Sequence, residues 1–490
     1  MAASARADEG PTAGRPLLEP LAVPKGLRVV SYFPADAGWT RMWEPWRPAR
    51  LAADLHRLRS LNANTVRIVA SPPFFGYPEP APKYVDRLSE LVSIAAAEGL
   101  HVQLTLFDWW GEYRDVVGSK KWAGGLLTPY VGDPRIAFVE LRNEIDPADA
   151  DAVAWARELV PWLRTLLGRR TPVTLSVGAT DPARDLRALA RALPAASLPD
   201  FFDAHYFTGG GERAADVFRR LRTAASPTPV WVGELGYPTS TTVSGFDGVP
   251  LTSSAQEAAQ THYLRLCFEA VRRLGLPDPG IWILDDFAAG AIPLSDVSPK
   301  EPEYTFGLFR TDRTEKNAAA TLRRLFTGVR DTRFNASFEE GMRAADGAMH
   351  PSQWSVLSVR NLRVAQDRTV ARTGRASARF ATSGAATGSG VLTIAPVDGA
   401  ARVGERATAT TWVRGQHVTG NLWLAIGWFD GDLRRVGRSS TGVPLPVGRS
   451  WTRVTVSSRA PAGAVFARVA IQATSLRGAV WIDDVAFSRR

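Results

Sequence analysis

The sequence predicts an α/β protein, a (β/α)8 TIM barrel, followed by an all-β sandwich. From about Gly26 to Phe326, short runs rich in β-branched and aromatic residues alternate with amphipathic stretches, the pattern of βα units around a parallel sheet. Eight such runs fall in about 300 residues, the length of a barrel with modest loop insertions. After Arg333 the helical pattern stops, and short stretches of Val, Thr, Trp and Ala alternate with Gly/Pro turns up to the C-terminus. A chain of 490 residues exceeds one ordinary core, which agrees with two domains. The expected division is a disordered tail over 1–25, a barrel over 26–329 and a sandwich over 333–490.

The eight strand candidates are Leu27–Phe33, Thr65–Ala70, Val102–Phe107, Ile136–Asn143, Val173–Val177, Phe201–Tyr206, Val230–Glu234 and Ile281–Asp285. Helical stretches fall between them, including Pro48–Leu61, Val85–Glu98, Ala150–Leu167 and Ala255–Leu274, the last opened by a capping box of Ser254 and Glu257. A doubly wound sheet is the competing fold. It would require a Gly-rich phosphate turn after an early strand, and Gly209-Gly210-Gly211 comes too late and lacks the spacing.

The formal charge of +10 comes from arginines scattered along helices, without a basic block, so nucleic acid is not the expected partner. One cysteine, Cys267, excludes intrachain disulfides and a cysteine metal cluster. The six histidines show no ligand spacing, and there is no phosphate loop. No run reaches the roughly 18 apolar residues of a membrane span. The opening Ala2-Ala3-Ser4-Ala5-Arg6-Ala7-Asp8 resembles the small-residue end of a secretory cleavage site, so a secreted, monomeric protein whose signal peptide is absent or trimmed is expected.

The sharpest chemical signal is a pair of carboxylates. Val139–Glu144 and Pro229–Glu234 each read as a buried strand with a glutamate at its C-terminal end, followed by Asp146-Pro147 and Gly236-Tyr237-Pro238. That end of a barrel strand is where catalytic groups stand. Two carboxylates facing each other across a sugar can divide the work, one protonating the leaving oxygen while the other attacks the anomeric carbon. The proton donor needs an apolar cleft that raises its pKa, and the nucleophile needs donors that keep it ionised. Arg67, on the second strand candidate, is such a donor if it points inward.

With these residues in place, Gly26–Phe326 resembles the clan A glycoside hydrolases, most nearly the family 5 cellulase and mannanase group. The resemblance implies that Glu144 is the general acid/base, that Asn143 binds the sugar 2-hydroxyl, and that Glu234 is the nucleophile with Arg67 beside it. It also implies a site-lining role for His205 and Tyr206. The family's His-x-Tyr is altered here, because Phe207 stands where its tyrosine would be; either Tyr206 takes that role or the nucleophile lacks its hydroxyl partner. A second departure is Phe107-Asp108-Trp109-Trp110, which has no histidine at the end of the third strand. Trp282 matches the family's platform under the reacting sugar.

Trp39, Trp43 and Trp46 crowd one loop, and Trp109, Trp110 and Trp122 crowd another; aromatic faces stack on pyranose rings, and of these Trp39, Trp109 and Trp110 are the expected substrate contacts. Asp285 and Asp286 could bind a hydroxyl or cap the barrel rim. The expected activity is hydrolysis of β-linked oligo- or polysaccharides with retention, with no cofactor required. The alternatives are a transglycosidase on the same site and a non-catalytic glycan-binding protein.

The C-terminal segment resembles jelly-roll carbohydrate-binding modules in Phe334–Gly341, Trp451–Val454 and Trp481–Val485. Trp412, Trp423 and Trp428 are the candidate platforms, and parity places Trp423 and Trp428 on opposite sides of one strand. The resemblance further implies a structural Ca2+, for which Glu339 and Asp483 are the candidate ligands.

Overall fold

The computed structural model describes residues 21–178, 180–207, 211, 213–240, 253–293, 302–328, 335–339, 341–343, 349–351, 354–384, 386–394, 401–429, 435–437, 441–444, 448–464 and 466–490. The expected cleavage-site-like opening, most of the inter-domain junction, and Phe334 and Glu340 lie outside the described residues.

Seven parallel strands form the barrel sheet in sequential order: β1 (Val29–Ser31), β2 (Thr65–Val69), β3 (His101–Phe107), β4 (Ile136–Arg142), β5 (Val173–Val177), β6 (Phe201–Tyr206) and β7 (Val230–Leu235). The connecting helices include α1 (Pro48–Ser60), α2 (Pro72–Phe75), α3 (Pro82–Ala97), α4 (Val116–Leu127), α5 (Ala150–Leu167), α6 (Pro182–Ala192) and α7 (Ala214–Ala225). After β7 come α8 (Ser253–Arg273) and α9 (Asn317–Leu325). Several helices start where an aspartate accepts from the first turn, as Asp115 does from Gly118 and Asp181 from Arg184.

The expected eighth strand, Ile281–Asp285, is not a regular strand. Ile281 alone bridges both Val30 and Leu235, which brings the sheet close to closure. Beyond it the chain changes partner: Asp285 bridges Phe309, and Leu284 accepts from the amide of Leu308. The segment therefore keeps single hydrogen bonds to its neighbours, from Trp282 to Leu235 and from Leu284 to Ser31, without forming a regular ladder. The expected capping box is also displaced, since α8 begins at Ser253 and Glu257 lies inside it, turned to Arg310 at 2.6 Å.

The two-residue period of the strands grades the barrel interior from apolar to charged. At the lower end Phe138, Phe201 and Trp231 meet edge to face and, with Leu27 and Val29, seal the floor. Two residues further along, β4 and β6 present Glu140 and Asp203, and β7 presents Gly233. One step higher, β6 presents His205, and an irregular register between β6 and β7 brings Glu234 opposite it. The alternate strand residues, such as Val139, Leu141 and Ala204, pack outward against the helices.

The C-terminal part is antiparallel. It comprises β8 (Gly341–Arg343), β9 (Met349–Pro351), β10 (Ser355–Arg360), β11 (Arg363–Asp367), β12 (Ser377–Ala381), β13 (Gly388–Ile394), β14 (Arg406–Phe429), β15 (Thr441–Pro444), β16 (Thr452–Arg459) and β17 (Phe466–Arg489). β14 and β17 pair along most of their length around a separate apolar core. Trp428 points into that core and donates to Ser458, whereas Trp423 lies on the opposite face of β14. On Trp423's side Phe429 joins the barrel's apolar cluster, so the two units pack together. The ring of Trp412 is covered by the Arg372 guanidinium at 3.8 Å.

The expected calcium ligands are engaged by backbone amides. Glu339 accepts from the backbone amides of Arg375 and Ala376, and Asp483 accepts from those of Arg372, Thr373 and Asp484. These carboxylates hold the 372–376 turn through N–H donors, where a calcium site would gather carbonyl oxygens.

Candidate active site

The charged upper end of the barrel is organised around Arg67. Its side chain on β2 is buried, reaches Glu140 at 2.9 Å, and donates to Glu234 and, at 2.8 Å, to Asn143 Oδ1. Asn143 in turn donates to Asp108 Oδ1 at 3.1 Å. Every nitrogen of the guanidinium meets an acceptor, from β4 and its C-terminal end on one side and from β7 on the other, which fixes the fork in one orientation. Truncation would leave two carboxylates buried without their cation. Arg67→Met is therefore expected to lower folding stability by about 3–5 kcal/mol, measured by urea unfolding.

His205, fully buried on β6, joins the two glutamates. Its Nδ1 lies 2.8 Å from Glu144 Oε1 and 3.5 Å from Glu234 Oε2. Both carboxylates thus touch one nitrogen, so their oxygens are separated by less than those two legs laid end to end. The Glu144 side chain is 41% exposed and that of Glu234 only 7%. Glu144 also has a φ of +51°, in the left-handed region, and its amide donates to Ser176 Oγ at 2.7 Å. Trp39 and Trp109 at the rim share this conformation, with φ of +45° and +53°. Such geometry costs on the order of 1–3 kcal/mol per residue and clusters where function requires a side chain to be aimed.

The ionisation pattern follows from these contacts. Burial opposes the positive charge of His205, but Glu234, Glu144 and Asp203 overcome it and push its pKa up to about 10. Burial raises Glu144, yet the hydrogen bond and charge of His205, with Arg67 and Arg142, bring its net shift downward. Burial raises Glu234, and Arg67 and His205 only partly offset that. In the unliganded chain the shorter hydrogen bond of His205 therefore favours an ionised Glu144, the reverse of what a proton donor needs.

Several sequence expectations change. Tyr206 points outward, because strand alternation places it opposite His205, and it stacks on Tyr263 at 5.9 Å. Trp110 is buried against Tyr77 and Phe107 and offers no face to a ligand. Trp39 is taken up by stacks with Phe33, Phe287 and Trp109. Trp109, 43% exposed, is the member of that stack open to solvent. Trp282 is nearly buried beside Phe33 and Trp39, and its Nε1–H donates to Glu303 at 3.2 Å. Asp285 and Asp286 are engaged by Arg57 and Lys316, away from the carboxylate pair.

Four acids were not singled out by sequence: Glu140, Asp203, Asp108 and Glu303. The two-residue period could have identified the first two, since Glu140 shares its strand face with Phe138 and Asp203 shares its face with His205. Glu303 belongs to a short turn of helix over Pro302–Thr305, and burial followed by the charge of Glu234 pushes its pKa up to about 7. Glu140, Asp203 and His205 have the number and type of groups a cation could use, but the Arg67 guanidinium already neutralises Glu140. A second cation there would meet like charge.

No protein-family model matches the sequence, and no curated protein matches it. Among solved structures the chain is similar to an exo-β-1,4-mannosidase from Opitutaceae bacterium strain TAV5, at 19% identity over 61% of this chain and 59% of that one, with a TM-score of 0.47. It is similar to GH5_18 from Streptomyces cattleya in complex with Manβ1-4GlcNAc, at 18% identity over 63% of this chain and 82% of that one, with a TM-score of 0.49. It is also similar to a Rhizomucor miehei β-1,3-glucanosyltransferase mutant, at 14% identity over 60% and 96% of the two chains, with a TM-score of 0.41. The chain thus spans 59% of the length of the first of these. No helix among the described residues is long and apolar enough to cross a membrane.

Proposed function

We propose that the protein is a retaining glycoside hydrolase acting on β-linked carbohydrate, with the barrel over 26–329 as its catalytic unit and the sandwich over 333–490 as its appendage. The observation that carries this is the shared contact of Glu144 and Glu234 with one ring nitrogen of His205. Retaining pairs stand roughly 5–5.5 Å apart, whereas inverting pairs need roughly 6.5–9.5 Å to admit a water. Glu234, low in the cleft and held by Arg67, is the nucleophile. Glu144, at the solvent side, protonates the leaving oxygen and then activates water.

The Nδ1 hydrogen bond of His205 lies between the two groups. Shifting it from Glu144 to Glu234 lets Glu144 hold its proton while Glu234 becomes ionised, which is the order the first step requires. Asn143, oriented by Arg67 and Asp108, presents its amide to a sugar hydroxyl. Trp109 supplies apolar surface to the ring, and Glu303, anchored on Trp282, accepts a hydrogen bond from a further hydroxyl. Protein side chains supply every group this reaction needs.

The test is a panel of aryl glycosides and polysaccharides followed by proton NMR of the first product. The expected result is release of the same anomer as the substrate. Initial release of the opposite anomer would replace the two-step mechanism by direct displacement.

A further inference from the structure

Below the carboxylate pair lies a second layer that the proposed reaction does not use. Glu140, Asp203 and His205 are each fully buried, and one ligand atom from each lies within 4.8 Å of the others. Glu140 Oε1, Asp203 Oδ2 and His205 Nε2 have no hydrogen-bond partner among the described residues. Orphaned buried polar atoms are costly, so the bare carboxyl oxygens of Glu140 and Asp203 call for an explanation.

Counting charges supplies it. The groups facing Asp203 are Arg67 from β2, Glu140 from β4, His205 from its own strand and Glu234 from β7, with Glu144 reaching the cluster through His205. The inward residues of β3 and β5, namely Gln103, Thr105, Thr174 and Ser176, carry no charge. Two cations thus face three buried carboxyl groups, Glu140, Asp203 and Glu234, while Glu144 is partly solvated. One carboxyl in excess must be neutral, and donors decide which. Glu140 Oε2 accepts from Thr105 Oγ1 at 2.6 Å and from Arg67 Nε at 3.0 Å, and Glu234 accepts from Arg67 and lies against His205. Among the described residues Asp203 accepts only the Gly233 amide, at 2.7 Å on Oδ1. A Cβ on Gly233 would stand 2.1 Å from Asp203 Oδ2, so this carboxyl occupies the space left by the glycine and is shut off from water on that side.

We propose that Asp203 is a positioning residue held in its protonated form, balancing the charge of the buried layer so that His205 stays cationic between Glu144 and Glu234. The Asp203 hydroxyl then serves as the donor that the orphaned Glu140 Oε1 lacks, through a small side-chain adjustment or one bridging water. Burial, reinforced by Glu140 and Glu234 against the opposing charges of His205 and Arg67, pushes Asp203 up to about 8, in agreement with the count. The proposal draws on the glycosidase reading only for the purpose of the arrangement, since the proton itself can be observed without turnover.

The linkage has a definite sign. Asp203 binds its proton more tightly in the folded chain than in the unfolded one. Its contribution to stability is therefore complete below the ordinary carboxyl range and is lost as pH rises through about 8. Asp203→Asn keeps a carbonyl acceptor for Gly233 and an N–H donor for Glu140 but cannot ionise. Its melting temperature relative to the wild type is expected to climb between about pH 5 and about pH 9. The infrared carbonyl band of buried carboxylic acid, present in the wild type at pH 7, is expected to lose the Asp203 component in the variant, leaving only what Glu303, with its pKa of about 7, contributes. A melting difference that stays flat with pH, or a band equally strong in both proteins, overturns the proposal. If Asp203→Asn does not fold, wild-type protein carrying carboxyl-13C aspartate decides the matter: the Asp203 component of the band must shift with the label, and a wholly unshifted or missing band overturns the proposal equally.

Discussion

Glu234→Ala is expected to lower turnover of an activated aryl glycoside by roughly four orders of magnitude, since it removes both the attacking oxygen and the counter-charge of the oxocarbenium-like transition state. Added azide should restore much of that loss, because a small anion fits the space vacated by the carboxylate. The product is then a glycosyl azide of inverted configuration, identified by NMR. Arg67 makes rescue plausible on physical grounds: its fork stays held by Glu140 and Asn143, so a cation remains at the floor of the cleft to receive the anion. A variant that azide cannot rescue, in a fold shown to be intact by circular dichroism, would remove Glu234 from the role of nucleophile.

The second large effect concerns Glu144. Glu144→Ala should slow substrates with poor leaving groups by about 10²–10⁴-fold, the usual contribution of a general acid, while good leaving groups lose far less in the first step because they depart unprotonated. Plotting rate against leaving-group acidity is the measurement, and the expected result is a steeper dependence in the variant. Equal losses across the series would mean that Glu144 and Glu234 do not divide the work as proposed. The same variant frees His205 Nδ1 from its shorter hydrogen bond, so its interaction with Glu234 should strengthen.

The sequence made the barrel legible because its strands are continuous apolar runs bounded by turns, and the two carboxylates stood out because each closes such a run. Arg67 needed one more inference, that a charged residue within Thr65–Val69 must face inward, and the structure buries it there. Where sequence reasoning failed, three-dimensional competition was the cause. Tyr206 and His205 are neighbours in the chain, but adjacent strand residues face opposite sides, so only one can enter the site. Trp39 and Trp110 have the right chemistry for a sugar, yet other aromatic rings reach them first. The Ile281–Asp285 run has strand composition, but its later residues share their hydrogen bonds between β1 and the Leu308–Phe309 segment, so no regular strand forms. Glu339 and Asp483 have the chemistry of calcium ligands, and the amides that they accept from are set by the 372–376 turn, which their positions in the sequence do not disclose.

The aromatic floor of Phe138, Phe201 and Trp231 has a consequence for the order of events. A barrel closed at one end is a blind alley: whatever enters beside Glu144 must leave by the same mouth. In the proposed reaction the departing half of the substrate and the incoming nucleophile then compete for one doorway, so the first must clear it before the second arrives. Water passes freely in so narrow a queue, whereas a second sugar succeeds only if the rim detains it. On the proposed reading, the choice between hydrolysis and sugar transfer is then expected to be set at the entrance, where Trp109 is exposed, rather than at the carboxylates themselves.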